Sequence, residues 1–234
     1  MRTALISGAS RGLGLAVARE LAGRAWRLVV DARDGAALHR AVAGLGPAAQ
    51  VAVVPGDVAD PAHREELARV VRMIGSLDLL VNNASVLGPS PQPALDRYPI
   101  EELERVYRIN VLAPLAIVQA VLPELLAAGG TVINVTSDAS IEAYEGWGGY
   151  GSSKAALDQV SKILGAEQPA LRVYAFDPGD MRTQLQQEAF PGEDISDRAE
   201  PETVLPALLR LIHERPPSGR YRSAELLPAA GSRA

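Results

Sequence analysis

The fold class of this chain is decided by residues 3–14, TALISGASRGLG. A short apolar run over residues 3–7 leads into a glycine-rich turn, and from Leu13 to Ala22 apolar residues recur at helical spacing. Dinucleotide-binding folds hold the pyrophosphate at such a strand–helix junction, because free N–H groups and the helix dipole favour anions there. The spacing G-x-x-x-G-x-G differs from the G-x-G-x-x-G fingerprint, so the turn alone also fits simple packing of a helix on a strand.

The rest of the chain repeats this alternation of strand and helix. Short apolar runs predict strands over residues 27–31, 50–54, 77–81, 131–135 and 171–176, and a weaker one over 220–226. Helical spacing predicts one helix that follows the second strand and ends at about residue 45. It predicts further helices over residues 61–74, 100–127, 149–165 and 202–214. The pattern predicts an α/β, Rossmann-type doubly wound parallel sheet of six or seven strands with helices on both faces. We expect a single domain over residues 1–228 and a disordered tail over 229–234.

The composition excludes several classes of chemistry. The 234 residues contain no cysteine and only three histidines, so disulfides, thiolate nucleophiles and sulfur-based zinc sites are excluded, and we expect no metal. The net charge of −5 argues against a nucleic-acid surface. Only two of the 23 basic residues are lysines, Lys154 and Lys162, so chemistry that needs an ammonium group must use one of them.

The sequence also gives an expectation for the cellular compartment of the protein. The first six residues lack a charged region ahead of a long apolar run, so we expect no signal peptide. The most apolar stretch, residues 109–128, is interrupted by polar residues and prolines, and we expect a buried helix there and no membrane span. The resulting expectation is a cytoplasmic protein.

A tyrosine and a lysine lie four residues apart where the helix after the fifth strand begins. At this spacing Tyr150 and Lys154 share one face of the helix. A phenol has a pKa near 10, so proton exchange near neutral pH requires a nearby positive charge. Lys154 can supply that charge. Ser137, which closes the fifth strand, could hydrogen-bond a carbonyl oxygen, although a serine there is more often a turn or cap residue.

Four motifs together resemble the short-chain dehydrogenase/reductase family, in its compact single-domain branch. Residues 7–14 resemble the family's T-G-x-x-x-G-x-G, with Ser7 in place of the threonine, and residues 150–154 carry the Tyr-x-x-x-Lys spacing. Residues 82–85, NNAS, resemble N-N-A-G with Ser85 in place of the glycine, and residues 178–183 resemble P-G-x-x-x-T. The resemblance extends to about residue 183.

The resemblance implies a catalytic set of Asn110, Ser137, Tyr150 and Lys154. Tyr150 would act as general acid in reduction and general base in oxidation. Lys154 would lower the pKa of Tyr150 and hold the nicotinamide ribose, Ser137 would orient the carbonyl, and Asn110 would hold a water beside the lysine. The implied cofactor-binding residues are Gly8, Ser10, Arg11, Gly12, Leu13, Gly14, Arg33, Asp57, Val58, Asn83, Ala84, Ser85, Tyr150, Lys154, Pro178, Gly179, Met181 and Thr183.

The end of the second strand distinguishes the two nicotinamide cofactors. A carboxylate there binds the ribose 2′-OH of NAD, whereas an arginine accommodates the 2′-phosphate of NADP. We align Ala32 with the acidic position, which leaves Arg33 beside the phosphate and Arg11 as a second partner. A shift of one residue would place Asp31 there instead. NADP(H) is therefore favoured, and NAD(H) remains possible.

The substrate is the least defined part of the prediction. We expect Ser137, Tyr144, Trp147 and Tyr150 to contact it, with apolar walls from Leu87, Met181, Leu185 and Phe190. Such a cleft suits a ketone or aldehyde with an apolar body. The leading hypothesis is an NADPH-dependent carbonyl reductase, reversible to an alcohol dehydrogenase; the alternative is a non-catalytic nucleotide-binding regulatory or scaffold protein. We expect a homodimer, with a tetramer possible, through the helices at 100–127 and 149–165.

Overall fold

The computed structural model describes residues 1–227, so the expected disordered tail at 229–234 lies outside the described residues. Seven parallel strands form one sheet in the order β3-β2-β1-β4-β5-β6-β7. The strands are β1 (Thr3–Ile6), β2 (Arg27–Ala32), β3 (Gln50–Pro55), β4 (Leu79–Asn82), β5 (Thr131–Val135), β6 (Arg172–Asp177) and β7 (Gly219–Arg222). The predicted doubly wound parallel sheet is confirmed.

Helices connect the strands and cover both faces of the sheet. They are α1 (Gly12–Gly23), α2 (Gly35–Ala43), α3 (Pro61–Ile74), α4 (Ile100–Tyr107), α5 (Ala113–Ala128), α6 (Gly148–Glu167), α7 (Gln184–Ala189), α8 (Leu205–Glu214) and α9 (Ser223–Leu226). Local chemistry sets several of their starts. The side chain of Asp60 accepts a hydrogen bond from the backbone N–H of Ala62, and Pro61 occupies the first turn, where its missing N–H costs nothing.

Successive residues of each strand contribute to opposite faces of the sheet. Ile6 of β1 packs in one buried cluster with Val17 of α1, while its neighbour Leu5 packs in the other cluster with Leu67 of α3 and Ile117 of α5. Period-two alternation produces this arrangement in any strand. Because both faces are covered, the strands read as continuous apolar runs, which is why the sequence predicted them.

The predicted long helix over residues 100–127 is present as one continuous helix over residues 100–128, and it contains a π-helical turn that the spacing does not predict. The structure has α4, then a π-helical turn over Arg108–Leu112, then α5. Pro114 lies in the first turn of α5, directly after this π-helical turn, and Pro123 lies inside α5. Residues 100–128 are long and apolar enough to cross a membrane, but Ile117 and Leu125 pack against the sheet in a core cluster.

The C-terminal part differs from the prediction in two places. The expected strand over 220–226 ends at Arg222, and α9 follows, because the Ser223 hydroxyl donates to the backbone oxygen of Pro178 and turns the chain. The segment 179–201, for which the sequence pattern predicts neither a strand nor a helix, contains the short helix α7. The side chain of its N-cap residue Thr183 accepts a hydrogen bond from the backbone N–H of Gln186.

Candidate active site

A cleft of about 550 Å³ opens at the carboxyl ends of the strands. It lies where the strand order reverses, with β1 hydrogen-bonded to β2 on one side and to β4 on the other. Ligands bind at such a switch point in open parallel sheets, and the volume falls in the range of cofactor and substrate sites. All of the predicted site residues line this cleft except Gly14 and Asn110.

The glycine loop after β1 is built from backbone that only glycine suits. Gly8 and Gly12 have φ angles of +67° and +54°. A Cβ on Gly14 would lie 2.5 Å from the backbone oxygen of Gly8, so Gly14 allows α1 to pack against the loop. The Asn83 side chain donates to the backbone oxygens of Ser7 (2.9 Å) and Gly8 (3.2 Å), and thereby fixes the loop to the end of β4.

The N-terminus of α1 points its first turn at this cleft. Arg11, the N-cap residue, makes no side-chain hydrogen bond to the helix, and Ser10, Arg11, Gly12 and Leu13 all line the cleft. Uncapped N–H groups together with the helix dipole form an anion site. These residues therefore fit the pyrophosphate of a dinucleotide, and the missing Cβ atoms leave space for it.

At the end of β2 an arginine is exposed at the cleft, whereas the aspartate of the strand is buried. Arg33 is exposed at the cleft, and the exposed Arg11 guanidinium hydrogen-bonds the side chain of Gln184 at the start of α7. Asp31 is 0% exposed. Burial raises its pKa, and hydrogen bonds from the side chain of His63 and the backbone N–H of Gly8 oppose this. Asp31, which the alternative alignment places at the ribose position, is therefore buried beneath the glycine loop.

Tyr150 and Lys154 lie together at the floor of the cleft. They are 5% and 2% exposed, and the Lys154 Nζ is 5.4 Å from the centre of the Tyr150 ring. Lys154 Nζ donates to the backbone oxygen of Val135 at 2.8 Å, which fixes the lysine to the end of β5. Ser137 follows that strand and also lines the cleft. Three residues from α6 and the end of β5 thus meet where the sequence predicted a reacting centre.

Burial dominates the ionisation of this pair. It raises the pKa of Tyr150, with a further increase from the charges of Asp177 and Asp138, while the Ser137 and Ser85 hydroxyls lower it. Burial lowers the pKa of Lys154 to about 8, against the opposing charge of Asp158. The direction for Tyr150 differs from the lowering expected from the resemblance, because burial outweighs the favourable contacts and the ammonium is directed at Val135.

Asn110 lies in the π-helical turn and is 0% exposed. Its Oδ1 accepts hydrogen bonds from the backbone N–H of Val86 (2.9 Å) and the hydroxyl of Ser85 (3.1 Å). Its Nδ2 donates to the backbone oxygen of Val86 (2.9 Å) and to the hydroxyl of Ser153 (3.0 Å). Both ends of the side chain are occupied, so it joins the loop after β4 to α6 behind the cleft. Ser85, where the family has glycine, takes part in this junction.

Aromatic side chains form the outer wall of the cleft. Trp147 contacts Tyr150 and Phe190 with ring centres 5.9 Å apart in each case, and Tyr144 with ring centres 6.2 Å apart. The Tyr144 hydroxyl donates to Asp138 Oδ2 at 3.0 Å, and the Ser137 hydroxyl donates to Asp138 Oδ1 at 2.9 Å. Asp138 was absent from the predicted set, although its position directly after Ser137 was a usable signal.

The sequence also did not predict a network of charged side chains that lies beside Ser137 and is centred on Arg220. Arg220 of β7 donates through Nη2 to Asp177 Oδ2 (2.9 Å) and to the backbone oxygen of Ser137 (3.1 Å), and through Nε to Asp158 Oδ2 (3.1 Å). The side chain of Asp177 is 2% exposed. This network links the ends of β5, β6 and β7 to α6. No local sequence motif predicts it, because its members lie far apart along the chain.

The fold and the site define a dinucleotide-binding protein of the Rossmann class. A sequence model described as short chain dehydrogenase matches residues 2–194, and the chain belongs to this family of oxidoreductases. Among the described residues 1–227, no group of three or more acidic or histidine side chains could hold a metal.

Relatives and solved structures agree with this assignment. The chain is 31% identical over 199 residues to a sepiapterin reductase of Meriones unguiculatus, covering 79% of this chain and 76% of that protein. It is 34% identical over 194 residues to a 1-deoxy-11-beta-hydroxypentalenate dehydrogenase of Streptomyces arenae, covering 79% and 68%. An alcohol dehydrogenase of Thermococcus sibiricus complexed with 5-hydroxy-NADP superposes with a TM-score of 0.85 at 27% identity, covering 95% of each chain.

Proposed function

We propose that the protein is an NADPH-dependent carbonyl reductase that converts a ketone or aldehyde to an alcohol, reversibly. One observation carries the proposal: the Tyr150 phenol, the Ser137 hydroxyl and the Lys154 ammonium meet at the floor of the dinucleotide-sized cleft. A non-catalytic nucleotide sensor does not require a buried phenol, Tyr150, beside a buried ammonium group, Lys154. We further propose that one unit carries both cofactor binding and catalysis.

Tyr150 is the proton donor to the carbonyl oxygen. Its raised pKa keeps the phenol protonated at neutral pH, which suits a general acid in the direction of reduction. The Ser137 hydroxyl lies close enough to affect the Tyr150 pKa, so both can hydrogen-bond one substrate oxygen and stabilise charge developing there. With a pKa of about 8, Lys154 is mostly charged at pH 7 and stabilises the phenolate left after proton transfer.

The cofactor site extends from the glycine loop to the segment after β6. The bound nicotinamide supplies the hydride. The first turn of α1 would hold the pyrophosphate, and Asp57 and Val58, which line the cleft, would border the adenosine end. The nicotinamide end would be bordered by four residues that also line the cleft, Pro178, Gly179, Met181 and Thr183. Asn110 and Gly14 do not line the cleft and act as positioning residues. Asn110 holds the loop after β4, and Gly14 allows α1 to pack against the glycine loop.

NADP(H) is the favoured cofactor. Arg33 and Arg11 are exposed beside the end of β2, where arginine accommodates a 2′-phosphate. Structural relatives at 25–27% identity were solved with NADPH or 5-hydroxy-NADP, which agrees with this preference. The substrate has an apolar body that packs against the aromatic wall of Tyr144, Trp147 and Phe190. We place the protein in the cytoplasm as a homodimer. Exposed apolar residues that could form its interface are Leu112 in the π-helical turn and Ile163 in α6.

A panel of aliphatic and aromatic ketones and aldehydes, assayed with NADPH and with NADH by nicotinamide absorbance, tests this function. We expect oxidation of NADPH by at least one apolar carbonyl, with kcat/KM about tenfold or more above that with NADH, because the two arginines form charge-assisted hydrogen bonds with a phosphate. Tight binding of NADPH without turnover of any carbonyl would favour the nucleotide-sensor alternative instead.

A further inference from the structure

Asp31, the only acidic residue of β2, is held on both carboxylate oxygens beneath the glycine loop. Its Oδ1 accepts a hydrogen bond from the backbone N–H of Gly8 at 2.8 Å. Its Oδ2 accepts a hydrogen bond from Nε2 of His63 at 3.0 Å. The carboxylate still borders the cleft, although it is fully buried. Its orientation therefore depends on these two partners.

His63 is positioned to maintain that contact. It lies in the first turn of α3 and is 8% exposed. Its ring packs against Gly56 at the end of β3, where a Cβ would come within 2.2 Å of the ring Nδ1. The imidazole thus occupies space that only glycine leaves open. Because the ring is confined in this way, its Nε2 stays directed at Asp31.

The two arginines around the end of β2 could hold a phosphate. Arg33 and Arg11 are exposed at the cleft, and Ala32 contributes no polar side chain. Asp34 accepts a hydrogen bond from the backbone N–H of Ala37 and caps α2, and Asp57 accepts one from the backbone N–H of Ala59. Asp31 is therefore the carboxylate whose release would most change this region. Turned into the cleft, it would bind ribose hydroxyls and repel a 2′-phosphate.

We propose that His63 is a specificity-determining residue for the cofactor: by holding the Asp31 carboxylate under the glycine loop, it keeps the 2′ position open to phosphate. This inference rests on the proposed preference for NADP(H). His63 does not line the cleft, so it acts through Asp31 as a positioning residue.

The test is a pair of matched substitutions at His63 with cofactor binding as the readout. His63→Gln places an amide N–H near the position of Nε2 and keeps the donor, whereas His63→Asn has an amide that stops short of Asp31. Dissociation constants for NADPH and NADH are measured on the full chain by quenching of tryptophan fluorescence, since Trp147 lines the cleft. No substrate is required.

We expect His63→Asn to weaken NADPH binding by about tenfold relative to NADH binding, while His63→Gln keeps the native ratio. Adding Asp31→Asn to His63→Asn removes the negative charge and should restore the ratio to near its native value. Thermal unfolding curves establish that each variant is folded. If His63→Asn does not fold, Asp31→Asn with native His63 serves as the second variant, and a native-like ratio there is expected because the amide oxygen still accepts from Gly8.

Three results overturn the inference. Equal weakening of both cofactors by His63→Asn would show that His63 supports only the loop, and a double variant that does not recover its preference would show that Asp31 is not the intermediary. A shift of the ratio toward NADH in the variant Asp31→Asn would also contradict it. The native protein decides the proposed preference separately: tighter binding of NADH than of NADPH by the unaltered chain refutes that preference, whatever the variants do.

Discussion

Replacing Lys154 by methionine is expected to stabilise the protein while removing its activity. Lys154 is 2% exposed, and burial lowers its pKa from 10.5 to about 8. This difference corresponds to about 3 kcal/mol by which folding disfavours the charged lysine at neutral pH. Loss of the hydrogen bond from Nζ to Val135 offsets about 1 kcal/mol of the gain. The Met variant should therefore gain about 2 kcal/mol in the free energy of unfolding at pH 7.

The gain should depend on pH in a defined direction. Below pH 8 the lysine holds its proton in both the folded and the unfolded chain, so the full penalty is present. As the pH rises from 8 to 10.5, the folded protein releases this proton while the unfolded chain still binds it, and the native protein gains stability. The difference between native and Lys154→Met should shrink over this window, and above it the variant should be slightly less stable.

Urea unfolding at several pH values between 7 and 10.5 measures this difference. Lys162→Met is the matched control, since Lys162 is exposed on the same helix and its replacement should change stability by less than about 0.5 kcal/mol. At pH 7 the expected gain for Lys154→Met is also about 4–8 °C in Tm. A Met variant less stable than the native protein at pH 7, or a difference independent of pH, would refute the reasoning about burial.

Three further substitutions test other parts of the structure. Asn110→Leu removes the four hydrogen bonds that join Val86, Ser85 and Ser153, and should lower the free energy of unfolding by about 4 kcal/mol in urea titrations; a loss under about 1 kcal/mol would contradict this junction. Gly14→Ala places a Cβ 2.5 Å from the oxygen of Gly8 and should weaken NADPH binding about tenfold in fluorescence titrations, whereas unchanged affinity would mean that the loop is not rigid. Arg220→Met leaves Arg222, at 3.6 Å, as the remaining cation near Asp177 and should lower the free energy of unfolding by about 3 kcal/mol in thermal unfolding. Arg220→Lys keeps the positive charge and should recover part of this loss. Equal stability of the Met and Lys variants would show that the charge of Arg220 does not stabilise the network.

The sheet could be predicted because its strands are short apolar runs with both faces buried. The bounds of α3 were predicted correctly, since Asp60, Pro61 and the apolar spacing mark the start and the period of the helix. The π-helical turn between α4 and α5 could not be predicted, because apolar residues keep helical spacing through it. Its cause is a tertiary contact, since Asn110 hydrogen-bonds to the distant loop after β4. The length of β7 depends likewise on a tertiary contact, the hydrogen bond from Ser223 to Pro178.

In the candidate site, too, the features set by local sequence could be predicted and those set by tertiary contacts could not. The glycine loop and the pair Tyr150 and Lys154 are local motifs, so their placement at the cleft could be anticipated from spacing. The contact of Asp31 with His63 joins residues from two elements, and the register that brings them together is set by the packing of α3 against the sheet. Burial is also a tertiary property, which is why the pKa direction of Tyr150 could not be inferred from the nearby lysine.

The role of Tyr150 is the central claim, and a single-turnover measurement with Tyr150→Phe tests it most directly. The enzyme, preloaded with NADPH, is mixed with a ketone that the native protein reduces, and the loss of nicotinamide absorbance is followed. The account predicts that the Phe variant binds NADPH with native affinity, because the phenol is not needed to hold the pyrophosphate, while hydride transfer slows by about 10²–10⁴-fold. Transfer at the native rate by a folded, NADPH-bound Tyr150→Phe protein would contradict it.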